Sequence, residues 1–394
     1  LKDTRITLQL GARVLVTTRP VVGDERMLST VYEQLPADVY PGARLLLSDG
    51  LVELRVESVD GQEIQTVVTR PGVVGERSGL SLPGAKISAP SLTAKDLEDL
   101  RFGIERGVDY VAVSFVRQAE DLADARALIA AAGARIPLVA KLERHESLEN
   151  LDSILDVADV IMVARGDLGV EVSVERVPIL QKMMIQRARQ RSLPVITATQ
   201  MLESMVHSQA PTRAEASDVA NAILDGTDAV MLSAETAIGD YPVTVVETMS
   251  RIAEAAESAP LGFWVHGPLD SGQGDFTHAI AAAAETAAQS VDARAVVAFT
   301  QSGWTARLLS KRRFTVPIIA VTPSESVARR VALYRGVVPQ VAPKPGTIDE
   351  MLETVTATAR QSGLVSPGDT ILVVASASAA SIGGATNLVQ MRRV

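Results

Sequence analysis

The sequence predicts an α/β protein organised around a parallel βα series of the barrel type, with a small β-rich domain before it and a second α/β domain after it. Three observations predict this. Residues 1–82 alternate apolar and polar side chains between frequent turn signals, the pattern of half-buried strands. Residues 83–258 change to short aliphatic runs separated by stretches of amphipathic helical period. Beyond a Pro-, Gly- and Ser-bearing stretch at 259–276, a smaller series of the same kind fills the domain 259–394. Composition agrees: hydrophobic residues are 47% of the chain but aromatics only 3%, so the cores are aliphatic, as buried parallel strands are.

In the first domain the strand-like runs include Ile6-Thr7-Leu8, Arg13–Val16, Leu45–Leu47 and Ile64–Val68. Asp49-Gly50 and Asp60-Gly61 are dipeptides that close hairpins. In the second domain the strands fall at Tyr110–Phe115, Pro137–Leu142, Val160–Ala164, Pro194–Thr199 and Ala229–Leu232. Helical stretches such as Ala119–Ala132 and Val177–Arg191 lie between them. Polar and charged residues collect just after each strand, where barrel enzymes carry their chemistry. The third domain opens with a helix at Ala279–Ser290 and continues through strands at Ala295–Thr300, Pro317–Val321, Val338–Val341 and Thr370–Ala375.

With 394 residues the chain is long enough for two or three cores. Its formal net charge of −9 disfavours nucleic acid and anionic membranes as partners. The absence of cysteine excludes disulfides, thiolate metal sites and a cysteine nucleophile. Four histidines, His145, His207, His266 and His278, lack ligand spacing, so a divalent metal would rest on carboxylates, which points to Mg²⁺ or Mn²⁺. With no secretory signal and no apolar run long enough to cross a bilayer, the chain reads as cytoplasmic.

Four strand ends supply the chemistry. In Leu138–Glu143, residues two apart share a face, so Lys141 and Glu143 look into one cavity. Ile161–Gly169 brings Asp167 and exposed amides out of a strand, with Gly166 permitting close approach of a ligand. Val195–Gln200 ends on the hydroxyl of Thr199, and Met231–Thr236 carries Ser233 and Glu235. Each alone is an ordinary ion pair, turn or cap. At successive ends of one parallel series they describe a metal-assisted barrel enzyme acting on a carboxylate or phosphate. Phosphoryl transfer asks for little more than positioned cations around the moving group.

Longer strings are more specific. Ala198–Met205 followed by Pro211–Glu215, Asp218–Ser233, Met162–Glu171 and the lysine-bearing strand at 138–143 all resemble the pyruvate kinase family, and the likeness runs along essentially the whole chain. The resemblance implies a (β/α)8 TIM-type barrel with an inserted β-barrel lid domain and a C-terminal α/β regulatory domain. It implies phosphoryl transfer between phosphoenolpyruvate and ADP in glycolysis, giving pyruvate and ATP. Lys141 matches the residue that stabilises the transferring phosphoryl group; Glu143 and Asp167 match the Mg²⁺ ligands. Gly166, Asp167 and Thr199 match the positions that hold the substrate carboxylate, and Ser233 and Glu235 a segment linked to proton delivery. Lys95 and Arg77 fall on the nucleotide side. Thr300, Ser302, Gly303 and Thr305, in a turn entering a helix, match an effector site for a sugar phosphate or a nucleotide, with Ala375–Gly384 as a second Ser- and Gly-rich loop. A K⁺ requirement and a homotetramer are further implications.

The sequence departs from the family in three places. It opens on Leu1 with nothing that matches the family's N-terminal strand–helix–strand–helix–strand unit, which implies a barrel whose first strands, and with them the K⁺ ligands, are absent from this chain. Ser78 stands where lysine is common, beside Arg77, and Ala234 stands where glycine is usual. Two other readings fit the pattern: a Mg²⁺-enolate enzyme such as an aldol or Claisen lyase, and an inactive chain that binds effector through residues 295–394. The lid and the regulatory domain argue against the lyase.

Overall fold

The computed structural model describes residues 1, 4–48, 50–85, 87–88, 90–260, 276–312, 314–376 and 386–394. Period-two alternation builds the first unit from strands β1 (Arg5–Leu8), β2 (Arg13–Thr17), β3 (Met27–Ser29), β4 (Arg44–Leu47), β5 (Val52–Asp60), β6 (Glu63–Arg70), β7 (Gly72–Gly75) and β8 (Leu80–Ser81), with one helical turn, α1 (Leu35–Asp38). Six of the strands form a sheet in the order β3-β2-β6-β5-β4-β8, and β1 pairs with β7. Its core holds Leu8, Leu35, Leu45, Leu54 and Ile64, all buried, each contributing about 1.5–3 kcal/mol. Gly61, at φ +57°, closes the β5–β6 hairpin as its dipeptide predicts. Asp49 of the other dipeptide lies outside the described residues.

The second unit begins with α2 (Ala94–Glu105), started by a Thr93–Asp96 capping box. Its strands are β9 (Val111–Val113), β10 (Leu138–Leu142), β11 (Val160–Ala164), β12 (Val195–Ala198) and β13 (Ala229–Val230). All pair in parallel, in chain order. The helices between and after them are α3 (Ala123–Ala131), α4 (His145–Glu149), α5 (Leu151–Val157), α6 (Arg165–Glu171), α7 (Val177–Gln190), α8 (Arg213–Asp225), α9 (Ala234–Ala237) and α10 (Pro242–Glu257). Alternation divides each strand between two cores. Leu138, Ala140, Leu142, Ile161 and Val163 pack under the helices, while Val139, Val160, Met162 and Ala198 form a core on the opposite face. That second face is the inner one, and it carries the catalytic candidates.

The third unit consists of α11 (Phe276–Ser290), β14 (Ala295–Phe299), α12 (Trp304–Lys311), β15 (Ile318–Thr322), α13 (Glu325–Val331), β16 (Val337–Val341), α14 (Ile348–Gln361), β17 (Thr370–Ala375) and β18 (Leu388–Arg393). The sheet order is β16-β15-β14-β17-β18. The last strand is an antiparallel edge strand, and the sequence pattern did not announce it. Most of the Ala375–Gly384 loop lies outside the described residues.

The third unit packs against the beginnings of the barrel strands. Leu333 joins the inner core, the Tyr110 hydroxyl donates to the Arg330 carbonyl at 2.8 Å, and Arg307 Nε donates to the Ser192 carbonyl at 2.6 Å. Lys311 pairs with Asp228, both side chains buried. No helix among the described residues is long and apolar enough to cross a membrane.

Candidate active site at the strand ends

Strand β10 sets the centre. Because Leu138, Ala140 and Leu142 turn under the helices, Val139, Lys141 and Glu143 turn to the inner face. Lys141 Nζ stands 2.7 Å from Glu143 Oε1 and donates to Ser114 Oγ at 2.9 Å. The Phe115 amide donates to Glu143 Oε2 at 2.6 Å. Glu143 is wholly buried, and its Oε1 accepts no hydrogen bond of proper geometry, so its contact with the ammonium is ionic. A buried carboxylate with acceptor capacity left over is costly unless something cationic completes it.

Asp167 and Gly166 open α6, directly after β11. The Gly166 amide donates to Thr199 Oγ1 at 2.8 Å, which joins the ends of β11 and β12. Thr199 and Gln200 sit at φ +70° and +53°, and Phe115 at +56°. A β-branched residue in the left-handed region is strained, by roughly 1–2 kcal/mol, and persists only when its surroundings hold it. Arg165 does the holding. Its guanidinium donates to the carbonyls of Ala198 and Thr199 at 3.3 and 2.7 Å and is itself fixed by Asp218 at 2.6 Å. Sequence reasoning passed over Arg165; its one signal is a long cation between a strand end and a Gly-Asp pair.

Ser233 and Glu235 lie at the end of β13. Both carboxylate oxygens of buried Glu235 are taken by main-chain amides, Leu202 at 3.1 Å and Ser233 at 2.7 Å. Glu235 thereby ties the loop after β13 to the loop after β12.

A cleft of about 420 Å³ runs between the β-rich unit and these strand ends, with Tyr32, Ser78, Phe115, Arg117, Glu143 and Asp167 among its walls. Arg144 and Glu171 also line it. Sequence reasoning missed this pair. Arg144 binds Glu171 at 2.7 Å and Glu146 at 3.3 Å, and His145 Nδ1 lies 3.3 Å from Glu171 and 3.2 Å from Glu146. Burial pushes the Glu171 carboxyl above its ordinary range, against the pull of Arg144 and His145. Ligand atoms of His145, Glu146 and Glu171 lie within 4.8 Å of one another, but the Arg144 guanidinium already fills the cationic role there.

Two nucleotide-side candidates lie outside that cleft. Lys95 is on the exposed side of α2, paired with Asp99. Arg77, at φ +58°, lines an adjoining cavity of about 590 Å³ in the β-rich unit, which shares Thr30, Val31, Ser78 and Leu80 with the cleft. In the third unit, Thr300 Oγ1 accepts from the Gly303 amide at 2.9 Å, Ser302 Oγ from the Trp304 amide at 3.4 Å, and Thr305 bonds Thr386 at 2.8 Å. Gly303 has φ +89°, and a Cβ there would meet Val331 at 2.8 Å, so glycine is required.

Acid and ammonium groups paired at the ends of parallel strands, under a β-rich cap, define an enzyme site of the barrel type. The sequence model of the family described as pyruvate kinase, barrel domain, matches residues 1–246, and that of pyruvate kinase, alpha/beta domain, matches residues 278–391. Among curated relatives, the pyruvate kinase of Geobacillus stearothermophilus is 44% identical over 99% of this chain and 67% of its own length. That of Clostridium acetobutylicum is 42% identical over 99% of this chain and 83% of its own length. Pyruvate kinase 2 of Synechocystis sp. is 42% identical over 99% and 66%. The chain belongs to the pyruvate kinase family.

Proposed function

We propose that the chain moves a phosphoryl group between phosphoenolpyruvate and ADP, giving pyruvate and ATP, at the strand-end site. The observation that carries this is Glu143, a buried carboxylate on the cleft wall, 2.7 Å from Lys141 and with a hydrogen-bonding position unspent. Family membership implies a divalent cation, Mg²⁺ or Mn²⁺, and the oxygen donors of Glu143 and Asp167, both on one cleft, fit it. When bound, such a cation polarises phosphoryl oxygens and neutralises the charge that develops on them. The family also implies K⁺, for which no residue of this chain is assigned.

The chain's own groups complete the reaction centre. Lys141 is held by Ser114 and Glu143, so its charge meets the phosphoryl group without reorganisation. A substrate carboxylate fits against Gly166, Asp167 and Thr199, taking over the bond that Gly166 now gives Thr199. The Thr199 hydroxyl then donates to that carboxylate or relays a proton to carbon, with Ser233 and Glu235 supporting the same side. The β-rich unit acts as a lid that brings Arg77 toward the nucleotide, with Lys95 beside it, and excludes water. The turn of Thr300, Ser302, Gly303 and Thr305 takes a sugar phosphate or nucleotide effector at the start of α12. A homotetramer and a cytoplasmic location follow from family likeness alone.

The test is pyruvate formation from phosphoenolpyruvate and ADP, followed with and without Mg²⁺, K⁺ and sugar phosphates. Mg²⁺-dependent turnover is expected. No pyruvate under any of these conditions, or cleavage of a 2-oxo acid instead, would overturn the proposal.

A further inference from the structure

Arg165 reaches the turn after β12 from the helix side of the sheet. Ala164 and Ala198 are registered neighbours on β11 and β12, so the residue after Ala164 stands beside that turn. Arg165 Nε donates to the Ala198 carbonyl at 3.3 Å and Nη2 to the Thr199 carbonyl at 2.7 Å, and Nη2 also meets the Met201 sulfur. The fork thus straddles Gln200, which with Thr199 makes the left-handed pair at φ +53° and +70°. Behind it, Nη1 donates to both carboxylate oxygens of Asp218 on α8, at 2.7 and 2.6 Å, and stands 3.5 Å from Gln181 Oε1 on α7. Gln181 is buried, and its amide is turned this way because its Nε2 donates to buried Asp225 at 3.1 Å, which Lys182 pairs in turn. The guanidinium is therefore aimed before any ligand arrives.

Holding the carbonyls of Ala198 and Thr199 fixes the peptide planes on both sides of Thr199, and with them its φ and ψ. A β-branched residue released from such a hold returns to negative φ, which swings its hydroxyl away from the Gly166 amide that donates to it at 2.8 Å. The fork also prepares the turn for a ligand. The Thr199 hydroxyl now donates to the Ala198 carbonyl at 2.6 Å. When that proton turns to a substrate carboxylate, Arg165 Nε remains as the carbonyl's donor, so no buried acceptor is orphaned.

We propose that Arg165 is a positioning residue for the substrate carboxylate: backed by Asp218 and Gln181, it keeps the Thr199–Gln200 turn in the left-handed form that presents the Thr199 hydroxyl beside the Gly166 amide. The inference rests on the phosphotransferase function proposed above and deepens it at the carboxylate end of the substrate. Its contacts run to that end of the site and not to Lys141 or Glu143. Losing the fork is therefore felt in phosphoenolpyruvate binding and spares ADP and the cation.

Arg165→Lys keeps a cation for Asp218 but cannot bond both carbonyls. Its Kd for phosphoenolpyruvate, titrated calorimetrically in Mg²⁺, and its KM for phosphoenolpyruvate should both rise about tenfold or more, while KM for ADP and Mn²⁺ affinity stay within about twofold. Asp218→Asn, which leaves the fork in place but aims it less firmly, should show the same split at smaller size. Glycine takes a positive φ without steric cost, so Gln200→Gly added to Arg165→Lys should recover about threefold or more of the lost affinity. Unchanged phosphoenolpyruvate affinity in both single variants refutes the proposal. Equal losses for phosphoenolpyruvate, ADP and Mn²⁺ refute it as well, since Arg165 would then support the fold at large. A glycine that recovers nothing refutes the hold on the left-handed turn. A parent that binds phosphoenolpyruvate but makes no pyruvate, with the same loss in the variants, supports the positioning role and overturns the phosphotransferase function; a parent that binds none overturns both.

Discussion

Lys141 serves two purposes that one substitution separates. Its charge is the one proposed to meet the phosphoryl group, and it is also the close cationic partner of Glu143, a buried residue of the cleft wall, at 2.7 Å. Lys141→Met should cut turnover by about three orders of magnitude or more, because a fixed charge on the transition state is lost. It also leaves a buried carboxylate with one amide partner, at a cost of about 1–3 kcal/mol. A divalent cation bound at Glu143 would restore that loss. The melting temperature of the variant should therefore fall by several degrees in chelator and recover in millimolar Mg²⁺, whereas the parent responds less; equal responses would argue against Glu143 as a ligand. Glu235 presents a different case, since both its oxygens accept main-chain amides at 3.1 and 2.7 Å. Glu235→Gln places an NH₂ against an amide donor, so stability should fall by about 1–3 kcal/mol along with turnover. A loss of turnover at unchanged stability, measured by denaturant titration, would instead favour direct proton transfer by Glu235.

At the scale of elements, α8 offers a pH test. Its first turn is a capping box in which Thr212 and Glu215 exchange bonds, and Glu215 also accepts from the amide and hydroxyl of Ser204 at 2.7 and 2.6 Å. Burial raises the Glu215 pKa, but the bonds from Ser204 and Thr212 more than reverse this and hold it below its ordinary 4.5. A carboxyl with a depressed folded pKa stabilises the protein above its unfolded pKa, and the contribution is lost as pH falls through the folded value. Thermal stability should therefore decline below about pH 4.5, and Glu215→Gln should be less stable at pH 7 with a shallower acid limb. Sequence reasoning took Pro211–Glu215 only as a family-like string and passed over the box it contains. The barrel strands were legible: Val160–Ala164 was placed without error, and β10 and β12 within a residue at each end. Aliphatic runs flanked by polar residues leave strands little freedom in placement. Strand β18 was missed because Leu388–Arg393 is a half-buried edge strand of mixed polarity, without a clean alternation, that pairs only with β17. The Arg165 and Arg144 networks were missed for a related reason. Their partners, Asp218 and Glu171, lie 53 and 27 residues away, a separation that only the folded parallel βα series brings within reach.

At the scale of the whole molecule, the barrel and the third unit are joined through Lys311 and Asp228. Asp228 accepts from the Val195 amide at 2.8 Å at the start of β12, the strand that ends at Thr199, and more distantly from the Arg335 amide at 3.5 Å. Burial pushes the Lys311 pKa down to about 8, against the opposing pull of Asp228. Removing one member of such a pair leaves an uncompensated charge and costs about 3–5 kcal/mol, whereas removing both charges costs far less. Lys311→Met should therefore split calorimetric unfolding into separate transitions for the two units, and Lys311→Met with Asp228→Asn should restore much of the coupling. The pH dependence has a definite sign. Between about pH 8 and the ordinary lysine value of about 10.4, the unfolded chain keeps a proton that folded Lys311 has lost. The unfolded state binds more protons across that window, so the contribution of this group to stability rises with pH there. Denaturant midpoints measured from pH 7.5 to 10 should show that rising contribution in the parent and lack it in Lys311→Met; the same slope in both would mean that Lys311 keeps its proton and that the interface tolerates a buried charge without shifting it.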